Sequence, residues 1–456
     1  MKTGKPKTVY FLGIGGIGMS ALARYFHAAG STVLGYDKTP TTLTSQLEAE
    51  GIQIHFKDRP DLIPADTDLI IYTPAIPHDL AEFVKATSGN FNIKKRAEVL
   101  GDLTNSKKTI AVAGTHGKTT VSTMISHIMF NAKAGCTAFL GGISKNYGSN
   151  LLLNPFSELM VAEADEFDRS FLRLSPWLAL ITSTDADHLD IYADHQDLKN
   201  TFTQFTKRVV PGGVLLIKSG IGVEPDHNPD VEFYTYSLDK QADFYAENLR
   251  IENHRYHFDL VIPEGRISDL SPGLPGLFNV ENSIAASAAA WLSGADEDEI
   301  RKGINSFEGV KRRFDIRINT PGILYIDDYA HHPEELSACI GSVRKLYPGR
   351  HITGIFQPHL FSRTRDFAEG FSKSLSMLDR VILLEIYPAR EKPIEGVNSE
   401  MLLKGIESKE KFLCGREEAL LLISQNQPDI LLTLGAGDID QLVAPIEELF
   451  TKTIKP

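Results

Sequence analysis

The segment Ala111-Val-Ala-Gly114-Thr-His-Gly117-Lys118-Thr119-Thr120 decides the fold. It follows an apolar run, 109–113, that reads as a strand, and it leads into a helical pattern from Thr120 to about Phe130. Gly-Lys-Thr at a strand-to-helix turn is a phosphate cradle. Backbone amides wrap the β-phosphate, Lys118 reaches the β/γ oxygens, and the Thr119 hydroxyl is placed for Mg²⁺. Val112 stands where the full G-x-x-x-x-G-K-[ST] pattern has its first glycine, so the loop is a shortened variant.

The first glycine loop along the chain lies upstream, which makes the Gly114 loop the second. Gly13-Ile-Gly15-Gly-Ile-Gly18 matches G-x-G-x-x-G directly after the run 8–12, and a helix is expected from Met19. Such a turn brings backbone N–H groups and a helix N-terminus up to a diphosphate. Asp37 follows a second strand at the distance at which an acid would hold a ribose hydroxyl. Read alone, this loop admits a dinucleotide or a nucleotide sugar. A dehydrogenase needs no triphosphate site, so the second loop argues against nicotinamide chemistry.

Outward from these loops, strand-like runs alternate with helix-length amphipathic segments, which predicts an α/β fold with parallel sheets. The pattern restarts at Thr8, Thr109 and Ile323, and the stretch from about 231 to 275 alternates as antiparallel strands do. Polar Thr104-Asn-Ser-Lys-Lys108 and charged Val310-Lys-Arg-Arg313 suggest boundaries that divide the chain into 1–106, 107–314 and 315–456. A chain of 456 residues accommodates three domains at about 150 residues each. With 42% hydrophobic and 23% charged residues, extensive disorder is excluded. The net charge of −12 argues against a nucleic-acid partner and requires positive charge to be supplied locally at any phosphate site. Cys136, Cys339 and Cys414 form no CxxC pair, which predicts neither a disulfide framework nor a zinc site and fits a reducing, cytoplasmic setting. The basic start leads only to a four-residue apolar run, 9–12, too short for a signal-peptide core, and the Ala-rich stretch 284–292 is about half a membrane span. Neither secretion nor membrane insertion is expected.

Magnesium ligands should lie at the ends of strands beside the phosphate loop. Two acidic segments qualify: Glu163-Ala-Asp165-Glu166-Phe-Asp168 and Asp185-Ala-Asp187-His188-Leu-Asp190. Taken singly, most of these acids also fit helix capping or solvated loop charge. Glu163, first after its strand, and His188 are the two assigned to metal. In the third segment, Tyr329-Ala-His331-His332-Pro333 is placed at a strand end by Asp327-Asp328 before it and a helix from Glu334 to Leu346 after it. Arg365 is expected to pair with Asp366 or Glu369 on a helix surface.

Together these residues resemble the Mur ligases, the ATP-dependent amino-acid ligases of peptidoglycan assembly. The resemblance rests on the order and spacing of GIGGIGMSALA, AGTHGKTT, EADEFDRSF, DADHLD, Gly276-Leu-Phe-Asn279-Val-Glu-Asn282, VKRRFD, DDYAHHP and Gln357-Pro-His359-Leu-Phe-Ser-Arg363-Thr-Arg365 across the chain. It implies three domains: a Rossmann-like N-terminal domain, a P-loop central ATPase domain and a Rossmann-like C-terminal domain. The GIGGIG start and the QPH…SRTRD segment favour the family member that adds L-alanine to UDP-N-acetylmuramate, with ATP as co-substrate. Mg²⁺ is the implied cofactor, with Mn²⁺ an acceptable substitute, and the implied state is a monomer or homodimer.

By the same resemblance Gly15, Gly16, Ile17 and Gly18, with Asp37, Thr73 and Ala75, hold the UDP-sugar. Gly114, Thr115, His116, Gly117, Lys118, Thr119 and Thr120 hold ATP, with Asn279 and Asn282 near adenine and Arg313 and Asp328 near phosphate and ribose. Thr119, Glu163 and His188 ligate two Mg²⁺, and Tyr329, His331, His359 and Arg363 receive the amino acid. Catalysis is thereby expected from Lys118, Glu163, His188, His331 and Arg363. Phe278 stands where the family usually has histidine. Spacing puts Thr203 or its neighbours where several family members carry a carbamylated, metal-supporting lysine, so that role is not assigned to Lys199 or Lys207. Two other classes stay open on the residues alone: a nicotinamide oxidoreductase resting on the first loop and Asp37, and a non-catalytic nucleotide sensor.

Overall fold

The strand Thr8–Leu12 (β1) buries four consecutive residues, the mark of a strand covered on both faces. In the structure, a computed structural model that describes residues 5–185, 191–389 and 391–452, β1 is the centre of a five-stranded parallel sheet. Its other members are Thr32–Tyr36 (β2), Gln53–His55 (β3), Leu69–Tyr72 (β4) and Ile93–Lys95 (β5), in the order β3-β2-β1-β4-β5. Helices Ile17–Ala28 (α1), Thr42–Ala49 (α2), Ala81–Ser88 (α3) and Arg96–Thr104 (α4) connect them. The order reverses between β1 and β4. At such a switch point the loops beyond the strand ends part and leave a crevice, here between the loop after β1 and the loop after β4.

The second sheet repeats this logic around the phosphate loop. Its strands are Lys108–Ala113 (β6), Thr137–Phe139 (β7), Leu151–Leu152 (β8), Leu159–Glu163 (β9), Leu178–Ile181 (β10), Val214–Lys218 (β11) and Glu232–Tyr236 (β12), in the order β12-β11-β10-β6-β9-β7-β8. Only the short β7–β8 pair is antiparallel. Strand β6 lies between β9 and β10, so the loop leaving β6 emerges between their ends. Val112 is in register with Glu163, and Ala113 with Ile181. That register places the end of β9 on one side of the loop and Thr182–Asp185 on the other.

Helix Lys118–Asn131 (α5) leaves the phosphate loop, and His195–Thr206 (α6) follows β10. Strands Tyr245–Glu252 (β13), Arg255–Ile262 (β14) and Gly265–Leu270 (β15) form a small sheet, followed by helices Leu277–Leu292 (α7) and Glu297–Ser306 (α8). The last sheet has the order β16-β17-β21-β18-β19-β20 and comprises Asp315–Asn319 (β16), Leu324–Asp328 (β17), Ile352–Phe356 (β18), Arg380–Leu383 (β19), Glu410–Leu413 (β20) and Ile430–Leu434 (β21). Helices Pro333–Leu346 (α9) and Phe361–Asp366 (α10) follow β17 and β18.

Two expectations are corrected. The first strand of the stretch read as antiparallel, β12, instead extends the parallel sheet beside β11. As an edge strand it exposes Glu232 and Phe233 and buries only Tyr236, so it lacks the continuous apolar run that marks a covered parallel strand. The final sheet also begins one strand earlier than Ile323, because β16 forms an antiparallel pair with β17.

The chain divides into two compact units: residues 1–248 with 258–270 and 281–307, and residues 249–257 with 271–280 and 308–456. Within the first unit one apolar cluster runs from Val9, Phe11 and Leu22 to Phe139, Ala162 and Phe202. The buried Arg24 of α1 pairs with Glu50 and donates to Asn150 Oδ1, while the Asn150 amide donates to Ile17 O and Ser20 Oγ. These bonds fasten the helix of the first glycine loop to the segment before β8. No helix among the described residues is long and apolar enough to cross a membrane. The three cysteines are buried and free.

Helix α5 is backed by α8, where Gly303 is buried against Ile128. A Cβ at Gly303 would stand 2.7 Å from Ile128 Cγ1 and 3.0 Å from its Cα. Gly303→Val should therefore overpack this contact and cost about 1–3 kcal/mol, read as a fall of several degrees in Tm by calorimetry; an unchanged Tm would refute the tight α5–α8 packing.

Candidate active site

At the phosphate loop, Gly114 has a φ of +133°, and a Cβ there would run into Thr182 and come within 2.8 Å of the Ser183 nitrogen. Only glycine lets the loop lie against the end of β10 this closely. That end then braces the loop. Thr115 N donates to Ser183 O (3.1 Å), His116 N to Ser183 Oγ (2.7 Å) and Asp185 N to Thr115 Oγ1 (3.0 Å), and Thr182 Oγ1 donates to His116 O. His116 Nε2 stands 3.8 Å from an Asp185 oxygen. Gly117, at φ +82°, caps α5, and the Asn282 side chain would be 2.9 Å from a Cβ placed on it.

Lys118 Nζ donates to Gly114 O (2.6 Å) and lies 2.8 Å from both carboxylate oxygens of Glu166, whose side chain is fully buried. Burial would depress the ammonium's pKa, but Glu166, Asp165 and Glu163 together outweigh it, and the pKa is raised. The lysine stays charged. Thr119 Oγ1 donates to Glu163 Oε2 at 2.9 Å, so the hydroxyl and carboxylate expected to ligate metal are already side by side. Hard oxygen donors of this kind suit Mg²⁺. His188 lies outside the described residues. Thr120 is buried in the first turn of α5.

In the first glycine loop, Gly13 N and Ile14 N donate to Tyr36 O, and Gly15 N donates to Asp37 Oδ2 (2.8 Å). The other Asp37 oxygen accepts from Thr39 N at 3.1 Å. Asp37, expected to meet a ribose hydroxyl, thus ties down the loop itself. Gly16 is the N-cap of α1 with no capping side chain, and Ile17 and Gly18 form its first turn, the geometry of an anion site. A cleft of about 260 Å³ opens there, lined among others by Gly16, Gly18, Thr73, Arg96, Gly141 and Glu163. The first glycine loop and the Glu163 carboxylate therefore share one cleft. Ala75 is exposed on the loop after β4.

The second unit gathers the residues expected to bind the amino acid. Tyr329 and His331 follow β17 with ring centroids 5.2 Å apart, and His359, after β18, lies 6.1 Å from His331. His331 Nδ1 is 3.0 Å from Tyr329 O and 3.3 Å from Glu335. Arg313 lies over the Tyr329 ring at 4.9 Å. Arg363 is half-buried on α10, and Arg365 pairs with Asp366 at 2.7 Å as expected. Asn279 is buried, and its amide donates to Pro275 O at 2.7 Å. Asp328, at the end of β17, accepts N–H groups from Phe314 and Ala330, each at 2.7 Å.

The sequence reading missed Glu166, Asp165, Arg96 and Ser183. Capping or solvated charge does not describe Glu166, although Asp165 and Asp168 stay more than one-third exposed and Asp165 accepts from Phe167 N. Glu166 is buried on Lys118, Asp165 faces Arg96 at 3.5 Å, and Asp168 faces Lys95 at 3.6 Å. The crowding of four acids was the available signal, but their partners lie elsewhere in the chain.

Family models match nearly end to end: the "Mur ligase family, catalytic domain" over residues 8–108, the "Mur ligase middle domain" over 112–290 and the "Mur ligase, glutamate ligase domain" over 312–437. The chain is 50% identical to the UDP-N-acetylmuramate–L-alanine ligase of Parabacteroides distasonis over the whole of both chains. It is 51% identical to that of Porphyromonas gingivalis over 97% of this chain and 98% of the relative. A UDP-N-acetylmuramate–alanine ligase structure from Thermotoga maritima superposes with a TM-score of 0.84 at 28% identity, covering 98% of this chain and 99% of that one. A murein peptide ligase from Psychrobacter arcticus shares the fold at a TM-score of 0.69 and 21% identity, over 97% of this chain and 98% of that one.

Burial pushes the Asp328 carboxyl up to about 6, against the opposing pull of Arg313 and the two N–H donors. A raised carboxyl favours the folded state while it is protonated, so this contribution is complete below about pH 4 and is lost as pH rises through about 6. Denaturant unfolding from pH 4.5 to 7 should show wild type losing about 1–3 kcal/mol relative to Asp328→Asn. A difference that does not vary with pH would mean an ordinary carboxyl.

Proposed function

The chain belongs to the Mur ligase family, and from that premise we propose that it joins L-alanine to the lactyl carboxylate of UDP-N-acetylmuramate, consuming ATP. The observation that carries this reading is the shared cleft. The diphosphate-type loop of the first sheet and Glu163, bonded to Thr119 of the ATP loop, line one space. A sugar nucleotide anchored at the first loop can thus present an acid to the γ-phosphate end of ATP held on the second.

A carboxylate in water does not condense with an amine unless it is activated. The lactyl carboxylate attacks the γ-phosphorus, ADP leaves, and an acyl phosphate forms. The amino group of alanine then attacks the acyl carbon, and phosphate departs from the tetrahedral intermediate. Lys118, kept protonated among Glu166, Asp165 and Glu163, stabilises charge on the phosphoryl group in flight. The backbone amides of residues 114–119 hold the phosphates. Thr119 and Glu163, with His188, would hold Mg²⁺, which would supply positive charge to offset that of the phosphates. Mn²⁺ would serve the same ligands. Asn279, Asn282, Arg313 and Asp328 are assigned to the nucleotide, and Gly15–Gly18 with Thr73 and Ala75 to the UDP-sugar. Tyr329, His331, His359 and Arg363 are assigned to alanine, with the Arg363 guanidinium a bidentate match for its carboxylate. The three functional regions correspond to 1–106, 107–314 and 315–456. The three free, buried cysteines support a reducing, cytoplasmic setting, with the ligase acting as a monomer or homodimer.

Purified protein given ATP, Mg²⁺, UDP-N-acetylmuramate and L-alanine should release phosphate only when both sugar and amino acid are present. Release independent of either, or preference for a tripeptide over alanine, would overturn the assignment. Lys118→Ala should reduce turnover by at least 10³-fold, as loss of a main phosphoryl-stabilising charge does, while calorimetry still detects UDP-sugar binding. Loss of both functions together would mean the two loops are misassigned.

A further inference from the structure

Resting on that reading, we propose that Arg96 binds an oxyanion of the nucleotide-sugar, and that Asp165 holds its guanidinium in place until the substrate arrives. Among the residues lining the cleft, Arg96 is the one base, set beside the acids Glu163 and Asp165. A substrate that carries a diphosphate and a carboxylate into this space meets no other cationic side chain among the described lining residues. Arg96 is the first residue of α4, delivered by β5 to the same sheet edge as the first glycine loop.

Its side chain lies over Gly18. A Cβ at Gly18 would be 3.0 Å from Nη1 and 3.1 Å from Cδ, so the third glycine of the motif leaves the space the guanidinium occupies. The guanidinium therefore sits against the first turn of α1, whose N-terminus is itself electropositive. Two positive features converge, and the anion offsetting them is Asp165, a single contact at 3.5 Å from a carboxylate whose other oxygen accepts from Phe167 N. Arg96 is about one-quarter exposed and Asp165 more than one-third, so the contact is solvent-screened and readily exchanged. A phosphate or carboxylate oxygen at this point gains a bidentate donor and the helix N-terminus together.

Calorimetry on the full chain tests this with two probes, UDP-N-acetylmuramate and UDP-N-acetylglucosamine, which share the diphosphate but differ in the lactyl carboxylate. Arg96→Gln should weaken UDP-N-acetylmuramate at least about ten-fold, the scale of a charge-assisted hydrogen bond, with partial recovery in Arg96→Lys and unchanged binding of a non-hydrolysable ATP analogue. Weakening of both sugars assigns the diphosphate, and weakening of UDP-N-acetylmuramate alone assigns the carboxylate. Asp165→Asn, which frees the guanidinium, should bind the sugar at least as tightly as wild type. Wild-type affinity in Arg96→Gln, equal loss of ATP-analogue binding, or weaker binding in Asp165→Asn would overturn the proposal. If the unmodified protein binds UDP-N-acetylglucosamine but not UDP-N-acetylmuramate, the ligase reading itself falls, whatever Arg96 does.

Discussion

The buried pair between Lys118 and Glu166 is the constraint on which the rest of the site depends. A lysine sealed into a phosphate loop would tend to lose its proton, and a fully buried carboxylate would tend to gain one. With the two placed 2.8 Å apart and Gly114 O as a further acceptor, the Glu166 carboxylate holds the Lys118 pKa up against its burial. Such pairs contribute little net stability because desolvation offsets the attraction, yet removing one partner strands a buried charge. The pair is therefore better understood as a means of keeping an ammonium group charged and aimed than as a source of stability. It can form only because β9 lies directly beside β6, so that the acidic segment leaving β9 passes over the loop leaving β6.

That acidic segment has two sides. Glu163 and Glu166 face the ATP loop through Thr119 and Lys118, while Asp165 and Asp168 face Arg96 and Lys95 beside the first glycine loop. Six residues thus join two glycine loops built on separate sheets. The left-handed backbone at Asp168 and Arg169, with φ of 55° and 50°, turns the chain where this exchange of faces occurs. The net charge of −12 also gains a meaning. Most of the negative charge at the site is matched locally, so positive potential is confined to helix N-termini and a few named bases rather than spread over a surface.

Much of this was legible in the residues. Both glycine loops stand between a strand and a helix, and the backbone is left-handed or otherwise at positive φ at Gly114 and Gly117, where glycine is favoured. The parallel α/β architecture followed from apolar runs separated by helix-length segments. The exceptions were edge elements: β12 and β16 are only partly covered, and a half-exposed strand lacks the continuous apolar run by which the covered strands are recognised.

The sequence by itself determined which residue types form each loop, where the strands end and which acids lie close to a strand end, because these depend on local sterics and on periodicity. Only the tertiary structure decided the pairings. Asp37 bonds its own loop, Glu166 lies 48 residues from Lys118, Arg96 lies 69 residues from Asp165, and the first glycine loop shares a cleft with Glu163. Strand order makes these choices. An ion pair across a sheet edge depends on which strands become neighbours, and nothing in the local residue pattern specifies that.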